Sequence, residues 1–271
     1  MTQITNFFVV YDPDRKEQPA LQRAANIAEK ISAKLHIFAC IYSDIDKSDD
    51  KSSAINTLLK QQQCVLDEAA AALSLRGITV TTELEWDQDW HQAVVRSSTK
   101  YAPDLLLKSS YKHSSGRRMF HRTSDWTLIR ECLCPVMLVK EGATAEIPKV
   151  LAAIDICAKN ESYKRLNQNV IDFSRQIFCR SGTEVHFINA FQDFKGVPDR
   201  RQIMKDCGIE SDKIHIKLGK PEKVIVDHAK KLDVSVVVVG NTARSGLSGA
   251  LIGNTVEKVL DKVKCDVLSM P

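Results

Sequence analysis

The sequence has no apolar run of 18 residues, so we predict no membrane-spanning helix. Its N-terminus has neither a basic start nor a small-residue cleavage site, so no secretion signal is predicted. The net charge of +4 is small and spread along the chain, which gives only weak support to a nucleic-acid or membrane partner. The eight cysteines lie mostly in apolar runs, as Cys40, Cys134 and Cys265 do, which is typical of free, buried thiols in a reducing compartment. These features predict a soluble, cytoplasmic protein.

The motifs of common catalytic and metal sites are also missing. No glycine loop is followed by G-K-[ST], and neither H-E-x-x-H nor G-x-S-x-G occurs. Cys132 and Cys134 are too closely spaced for a zinc knuckle. The histidines are scattered, and His186 and His215 fall in predicted strands with ordinary hydrogen-bond partners or solvent. We therefore predict no metal site and no enzyme, and slow ATP hydrolysis is the catalytic alternative left open.

Short apolar runs alternate with helix-length segments, and this order occurs twice. In the first half the predicted strands are 6–12, 34–42, 78–86, 104–108 and 135–140, and the helices are 18–33, 56–75, 89–101 and 124–132. In the second half the strands are 149–156, 183–191, 213–219, 235–240 and 265–270, and the helices are 160–179, 198–207, 221–232 and 254–263. Such alternation indicates βαβ units. We predict an α/β fold of two tandem domains, 1–141 and 149–271, each with a five-stranded, doubly wound parallel sheet.

Ligands of such domains bind beyond the carboxyl ends of the strands, where the strand order reverses. The loops after the first and fourth strands are therefore the candidates. In the second half, Asp155 ends the first strand. A glycine-rich loop, 240–253, follows the fourth strand and leads into a helix, an arrangement that presents backbone N–H groups to phosphate.

This glycine loop resembles the signature of the universal stress protein family. That signature is a glycine, two residues, a glycine, nine residues, then a glycine with Ser or Thr. Here Gly240 and Gly253 keep the spacing, whereas Ala243 and Asn254 replace the second glycine and the hydroxyl residue. The resemblance extends over nearly the whole chain, through "GKPEKVIVDHAKKL" (219–232) and "TSDWTLIRECLCPVMLVK" (123–140), and is to the bacterial tandem type.

The resemblance implies an adenine-nucleotide alpha-hydrolase-like fold and a site for ATP, with Mg²⁺ accompanying it. It places Asp155 at the adenine and ribose and Ala190 at the edge of the second strand. The remaining residues of this implied site, around the phosphates, are Gly240, Ala243, Gly246, Gly253, Asn254 and Thr255. It also implies that the last strands of the two halves pair as an internal pseudo-dimer, and that two chains associate as a homodimer.

The same loop is open to a purely structural interpretation. Alanine at a position that needs positive φ is strained by about 1 kcal/mol or more, so Ala243 weakens a phosphate cradle. Asn254 is also a good N-cap, and Glu257 three residues later would complete a capping box. A turn and cap without any ligand is therefore the alternative.

The first half has no glycine loop between its fourth strand and last helix. Arg122 stands where Gly253 falls, since the spacings to Cys134 and Cys265 are equal. The predicted loop 109–126 is the most basic stretch of the chain, and its cations could bind an anion or an acidic partner through side chains. These cations, together with the last residue of the preceding strand, are Lys108, Lys112, Arg117, Arg118 and Arg122. A solvated loop is the simpler interpretation, and no ATP is predicted in this half.

Two functions thus follow from the sequence. The first is a stress-response protein that binds ATP or another phosphorylated metabolite in its C-terminal domain. The second is an interaction or regulatory protein that binds no nucleotide and whose ligand is another metabolite or a protein partner.

Overall fold

The computed structural model describes residues 3–44, 51–111, 118–142, 146–241 and 254–271, without the side chains of 118–124, 195 and 254. The strands and helices of the first half are β1 (Asn6–Tyr11), α1 (Pro19–Ile31), β2 (Lys34–Ile41), α2 (Lys51–Ser74), β3 (Val80–Trp86), α3 (Trp90–Tyr101), β4 (Leu105–Ser110), α4 (Arg118–Glu131) and β5 (Val136–Lys140). Those of the second half are β6 (Lys149–Ile154), α5 (Glu161–Ser174), β7 (Glu184–Phe191), α6 (Arg200–Cys207), β8 (Ile214–Leu218), α7 (Pro221–Leu232), β9 (Val236–Gly240), α8 (Asn254–Lys262) and β10 (Asp266–Met270).

The ten strands form one continuous sheet in the order β3-β2-β1-β4-β5-β10-β9-β6-β7-β8. Pairing is parallel within each half and antiparallel between β5 and β10, where Val267 lies opposite Leu138. The two halves therefore have the same strand order and point in opposite directions. The predicted α/β fold and its internal pseudo-dimer are confirmed, while the domain boundaries at 141 and 149 stay predictions.

The strands are apolar on both faces because helices cover both faces of the sheet. Phe7 and Phe8 are both fully buried, and they belong to two different hydrophobic clusters. In β4, Leu105 and Leu107 pack into the first of these clusters and Leu106 into the second. Buried parallel strands lack polar alternation for this reason, and that is why the sequence pattern identified them.

A buried ion pair crosses from one half to the other beside the β5–β10 pairing. Arg23 of α1 and Asp266 of β10 are 2% and 0% exposed, and their side chains approach to 2.7 Å. The second carboxylate oxygen of Asp266 accepts a hydrogen bond from the Lys140 N–H (2.8 Å), and Arg23 also donates to the Glu146 carbonyl (2.8 Å). Both charges are thus paired inside the protein, as buried charges require, although the Nε of Arg23 is buried without a hydrogen-bond partner.

The last helix of the first half begins earlier than predicted. Helix α4 starts at Arg118 instead of 124, so Arg118 and Arg122 lie in a helix and the predicted loop is wrong at these positions. Between Gly116 and Pro135 the sequence has neither glycine nor proline, and nothing there interrupts a helix. Lys112 and Arg117 lie outside the described residues. Of the helices in the described ranges, none has the length and apolarity needed to cross a membrane.

The cysteines are free, but the prediction that they are mostly buried is only partly right. Cys134 is buried, and Cys40 and Cys265 are partly buried. Three others are exposed: Cys64, Cys157 and Cys179. The exposed thiols lie on helices or loops outside the strands, where an apolar run does not imply burial.

Three histidines form a cluster between the sheet and α7 that the sequence did not predict. His186 Nδ1 lies 3.1 Å from His215 Nε2, and the His228 ring centroid lies 5.6 Å from that of His215. Glu184 holds the other nitrogen of His186 at 2.8 Å. Burial, and then the neighbouring charges of His186 and His228, lower the pKa of His215 to about 4.

This cluster predicts an acid-sensitive second half. In the unfolded chain His215 binds a proton near pH 6.5, whereas in the folded protein it does so only near pH 4. Stability is therefore complete above about pH 6.5 and falls as the pH drops toward 4. Because His215 is partly exposed, we expect a loss of only about 1–2 kcal/mol. Urea unfolding at pH 7.5 and 4.5 measures it, and His215→Gln should flatten the pH dependence. Equal pH dependence in both proteins would contradict this assignment.

Candidate functional site

Each half of the sheet has its own point where the strand order reverses. In the first half it lies between β1 and β4, and in the second between β6 and β9. A pocket lies at the carboxyl ends of the strands in each half. Because the halves run antiparallel, the two pockets lie at opposite edges of the sheet. We name them the N-terminal pocket and the C-terminal pocket.

The C-terminal pocket has a volume of about 620 Å³, which suits a ligand of nucleotide size. Four residues that the sequence analysis assigned to one site line it together: Asp155, Ala190, Gly240 and Thr255. The rest of its described lining consists of Ala153, Ile154, Cys157, Tyr163, Leu166, Asn167, Val170, Ile188, Asn189, Phe191, Gln192, Asp193, Gly196, Pro221, Ile225 and Val239. The wall is mostly apolar, with polar groups at the ends of β6 and β7.

Asp155 is held in place by an amide clamp. Asn167 of α5 accepts a hydrogen bond from the Asp155 N–H (2.9 Å) and donates one to its carbonyl. Although Asp155 is exposed at the pocket rim, the surrounding protein desolvates its carboxyl and raises the pKa, and a hydrogen bond from the Cys157 N–H partly offsets this. In the first half Gln18 clamps Asp12 in the same way, at 3.1 and 2.6 Å.

The end of β7 is fixed by a second buried amide. Asn189 is 1% exposed; its oxygen accepts from the Ile156 N–H (2.8 Å) and its nitrogen donates to the Ala190 carbonyl (3.0 Å). This side chain joins the loop after β6 to the strand edge beside Ala190. Asn167 and Asn189 were both missed in the sequence. The available signal for Asn189 was a polar residue inside the apolar run 185–191.

Gly240 has a packing reason for being glycine. A Cβ atom there would lie 2.8 Å from Leu166 Cδ2 and 2.9 Å from its Cγ, closer than such atoms approach. Helix α5 therefore packs directly on the end of β9 because this residue has no side chain. Packing against Leu166 thus explains this glycine, whereas the sequence pattern alone suggested that it is needed to bind phosphate.

Helix α8 begins at the edge of the C-terminal pocket. Its first residue is Asn254, and Thr255 lines the pocket in its first turn. Glu257, the other member of the predicted capping box, accepts a hydrogen bond from Arg130 of the first half (3.1 Å). Ala243, Gly246 and Gly253 lie outside the described residues.

The sequence predicts that Lys108 belongs to a basic group whose side chains could bind an anion or an acidic partner, and for Lys108 this is wrong because its charge is already paired inside the protein. Its side chain is 12% exposed and lies 2.8 Å from Asp125 of α4. The ammonium also lies over the Trp90 ring, 5.2 Å from its centroid. All three residues line the N-terminal pocket, whose volume is about 470 Å³. The remaining described lining consists of Val10, Tyr11, Asp12, Pro13, Asp14, Arg15, Cys40, Val94, Ser109 and Tyr111.

A metal site is not part of either pocket as described. Within the five described ranges, no group of three or more His, Cys, Asp or Glu side chains is arranged to hold a metal ion. At the end of the first strand of each half, Asp12 or Asp155 lines the pocket, and an amide side chain, that of Gln18 or Asn167, bonds to its backbone.

The fold and its two pockets define the class: a tandem α/β protein with a pocket at the carboxyl ends of the strands in each half. The sequence profile of the Universal stress protein family matches residues 4–140 and 198–271. The chain therefore belongs to the universal stress protein family.

Full-length relatives agree with this assignment. The chain is 26% identical over 300 residues to Universal stress protein E of Escherichia coli K12, covering 99% of this chain and 94% of the relative. It is 23% identical to the Haemophilus influenzae homolog of that protein, covering 98% and 96%.

Solved structures show the same architecture. A functionally unknown protein from Pseudomonas aeruginosa PAO1 is 30% identical, with a TM-score of 0.77 over 98% of this chain and 92% of that one. A universal stress protein from Archaeoglobus fulgidus has a TM-score of 0.74 at 16% identity, over 99% and 96% of the two chains. The second likeness shows a shared fold only.

Proposed function

We propose that this universal stress protein binds ATP, or another phosphorylated metabolite, in the C-terminal pocket. The observation that carries the proposal is that Asp155, Ala190, Gly240 and Thr255 line one cavity at the carboxyl ends of the strands. The division into domains 1–141 and 149–271, with the nucleotide in the second, belongs to this proposal. The protein acts by binding and not by catalysis.

The sugar and base would occupy the part of the pocket near β6 and β7. A carboxylate such as that of Asp155 accepts hydrogen bonds from sugar hydroxyls, and the Asn167 clamp fixes the backbone that carries this side chain. Ala190 leaves the strand edge open because its side chain is small, and Pro221 and Ile225 supply apolar walls for a ring.

The phosphates would lie toward the start of α8. A helix N-terminus presents N–H groups and a positive dipole end to an anion, and Thr255 adds a hydroxyl there. Mg²⁺ would arrive with the nucleotide, since the described pocket has no metal cluster of its own.

A second candidate function is binding of an unphosphorylated metabolite or a protein partner. The observation that favours it is the charge of the wall: among its described residues the C-terminal pocket has two carboxylates, Asp155 and Asp193, and no lysine or arginine. In this case the protein regulates a partner without any nucleotide.

Calorimetric titration with ATP and Mg²⁺ tests the first proposal. We expect one ATP per chain, and Asp155→Ala should weaken binding about tenfold or more because it removes the acceptor for the sugar. Asp12→Ala, the equivalent change in the first half, is the matched control and should leave ATP binding unchanged. Gly253→Arg, which copies Arg122, should abolish binding.

Native mass spectrometry of protein from its own cells distinguishes the two functions. A retained nucleotide supports the first, and a molecule without phosphorus supports the second. At 100 times its dissociation constant, ATP should stabilise the folded protein by about 2.7 kcal/mol. No such stabilisation, together with no heat of binding at millimolar ATP, would contradict the nucleotide proposal.

A further inference from the structure

The N-terminal pocket has different chemistry from its counterpart in the other half. At equal distances before Cys134 and Cys265, the first half has Lys108 and the second has Val239; the same spacing relates Asp125 to Val256. A buried ion pair thus stands in the first half at positions that are both valine in the second. Because the two pockets differ at these positions, the ligand of the N-terminal pocket is inferred from its own residues and does not depend on nucleotide binding in the C-terminal pocket.

The walls of the N-terminal pocket are aromatic. Tyr11, Trp90 and Tyr111 line it. In the second half, Ile154 at the end of β6 is the equivalent of Tyr11, and Pro221 at the start of α7 is the equivalent of Trp90. Lys108 lies over Trp90 and Arg15 lies 4.7 Å from the centroid of the Tyr111 ring, so two of the three rings are held by a cation. Fixed aromatic rings are suitable walls for a flat ligand.

Two charged groups lie at the base of this pocket: Asp125 can accept further hydrogen bonds, whereas Lys108 has already used most of its donors. Lys108 donates to Asp125 (2.8 Å) and to the Ser109 carbonyl (3.0 Å), and its remaining side faces Trp90. Asp125 accepts from Lys108 and from the Ser110 hydroxyl (3.1 Å). A carboxylate has about four acceptor positions, so two stay available, whereas an ammonium has only three donors.

The helix at this pocket is also unsuited to phosphate. Helix α4 begins at Arg118, whereas the equivalent of Asn254, where α8 begins, is Thr123. The backbone N–H groups of α4 beside Asp125 therefore lie inside the helix and bond to carbonyls one turn earlier. Across the described lining, three carboxylates face two cations. Among these described residues an anionic group would meet Asp125, and the N-terminus of α3, which begins at Trp90, is already capped by the Asp89 carboxylate.

We propose that the N-terminal pocket binds a flat aromatic small molecule that carries an amino or ammonium group and no phosphate. The ring lies among Tyr11, Trp90 and Tyr111, and the amino group donates to Asp125. The volume of about 470 Å³ admits a molecule of this class. Burial raises the pKa of Cys40 to about 11, so the thiol at this pocket stays protonated and the interaction is non-covalent.

Matched ligands test the chemistry. Tyramine and 4-hydroxyphenylacetate have the same ring, and one ends in an ammonium where the other ends in a carboxylate. Titration followed by NMR should show tyramine binding at least about tenfold tighter. The double variant Lys108→Val/Asp125→Val, which copies Val239 and Val256, should bind tyramine about tenfold more weakly and lose the preference for the amine. Asp155→Ala, in the other pocket, is the control and should bind tyramine like the wild type.

Three results would overturn the proposal. One is a carboxylate that binds as tightly as its amine partner, another is a double variant that keeps the amine preference, and the third is no saturable tyramine binding up to about 10 mM, far weaker than typical small-molecule affinities. Because the double variant replaces a buried pair by residues that the other half uses, circular dichroism should show it folded. These results do not depend on whether ATP binds the C-terminal pocket.

Discussion

Replacing Asp266 by alanine is expected to lower the free energy of unfolding by about 3–5 kcal/mol. The change leaves the guanidinium of Arg23, which is 2% exposed, buried without its carboxylate. It also removes the acceptor for the Lys140 N–H at the end of β5. Both losses fall where the two halves meet, so we expect the sheet to be weakened at the β5–β10 pairing. Urea denaturation of the wild type and the variant measures the difference.

The matched control is the double variant Arg23→Met/Asp266→Leu. Removing both charges and filling their volume with apolar side chains is often neutral or stabilising, so this protein should recover the part of the loss that comes from the unpaired guanidinium, while the Lys140 N–H still lacks its acceptor. If Asp266→Ala lowers the free energy of unfolding by less than about 1 kcal/mol, its effect is no larger than that of an average substitution, and the ion pair has no special role in stability.

The second large effect is expected at the base of the N-terminal pocket. Lys108→Val alone should cost about 3 kcal/mol or more, because it leaves the carboxylate of Asp125 buried and unpaired. Asp125→Val should have a similar cost for the converse reason. The double variant should lie within about 1 kcal/mol of the wild type, since Val239 and Val256 pack at the equivalent positions of the second half.

Thermal unfolding of the two single variants and the double variant gives the coupling energy directly. Costs that simply add would show that Lys108 and Asp125 act independently, and the ion pair would then have no special role in the fold. The second half serves as an internal reference here, because it already shows that valine is accepted at both positions.

Much of the fold was predictable because its signal is local. The runs 105–107 in β4 and 236–239 in β9 are apolar without alternation, as expected of strands covered on both faces, and the same order of elements occurs in each half. The start of α4 was missed because its first turns lack the apolar pattern that marks an element in the sequence. The polar segment that follows Gly116 looks like a loop, although it contains no residue that breaks a helix.

The side-chain pairs were not predictable because they join residues far apart in the chain. Arg23 and Asp266 are brought together only by the antiparallel pairing of the halves. His186 and His215 meet because β7 and β8 pair with Ile188 opposite His215. Lys108 was grouped with the basic loop that follows it because its partner, Asp125, is 17 residues away in the chain. None of these contacts can be predicted from the spacing of residues along the chain.

The antiparallel pairing of β5 and β10 within one chain has a consequence for symmetry. Two identical subunits that associate through a twofold axis necessarily present two identical sites. Here the subunits are replaced by two halves of different sequence, so each pocket is free to diverge: one with Lys108, Asp125 and Trp90, the other with Asp155 and the start of α8. Every chain then carries both sites in a fixed ratio of one to one, whatever its concentration in the cell.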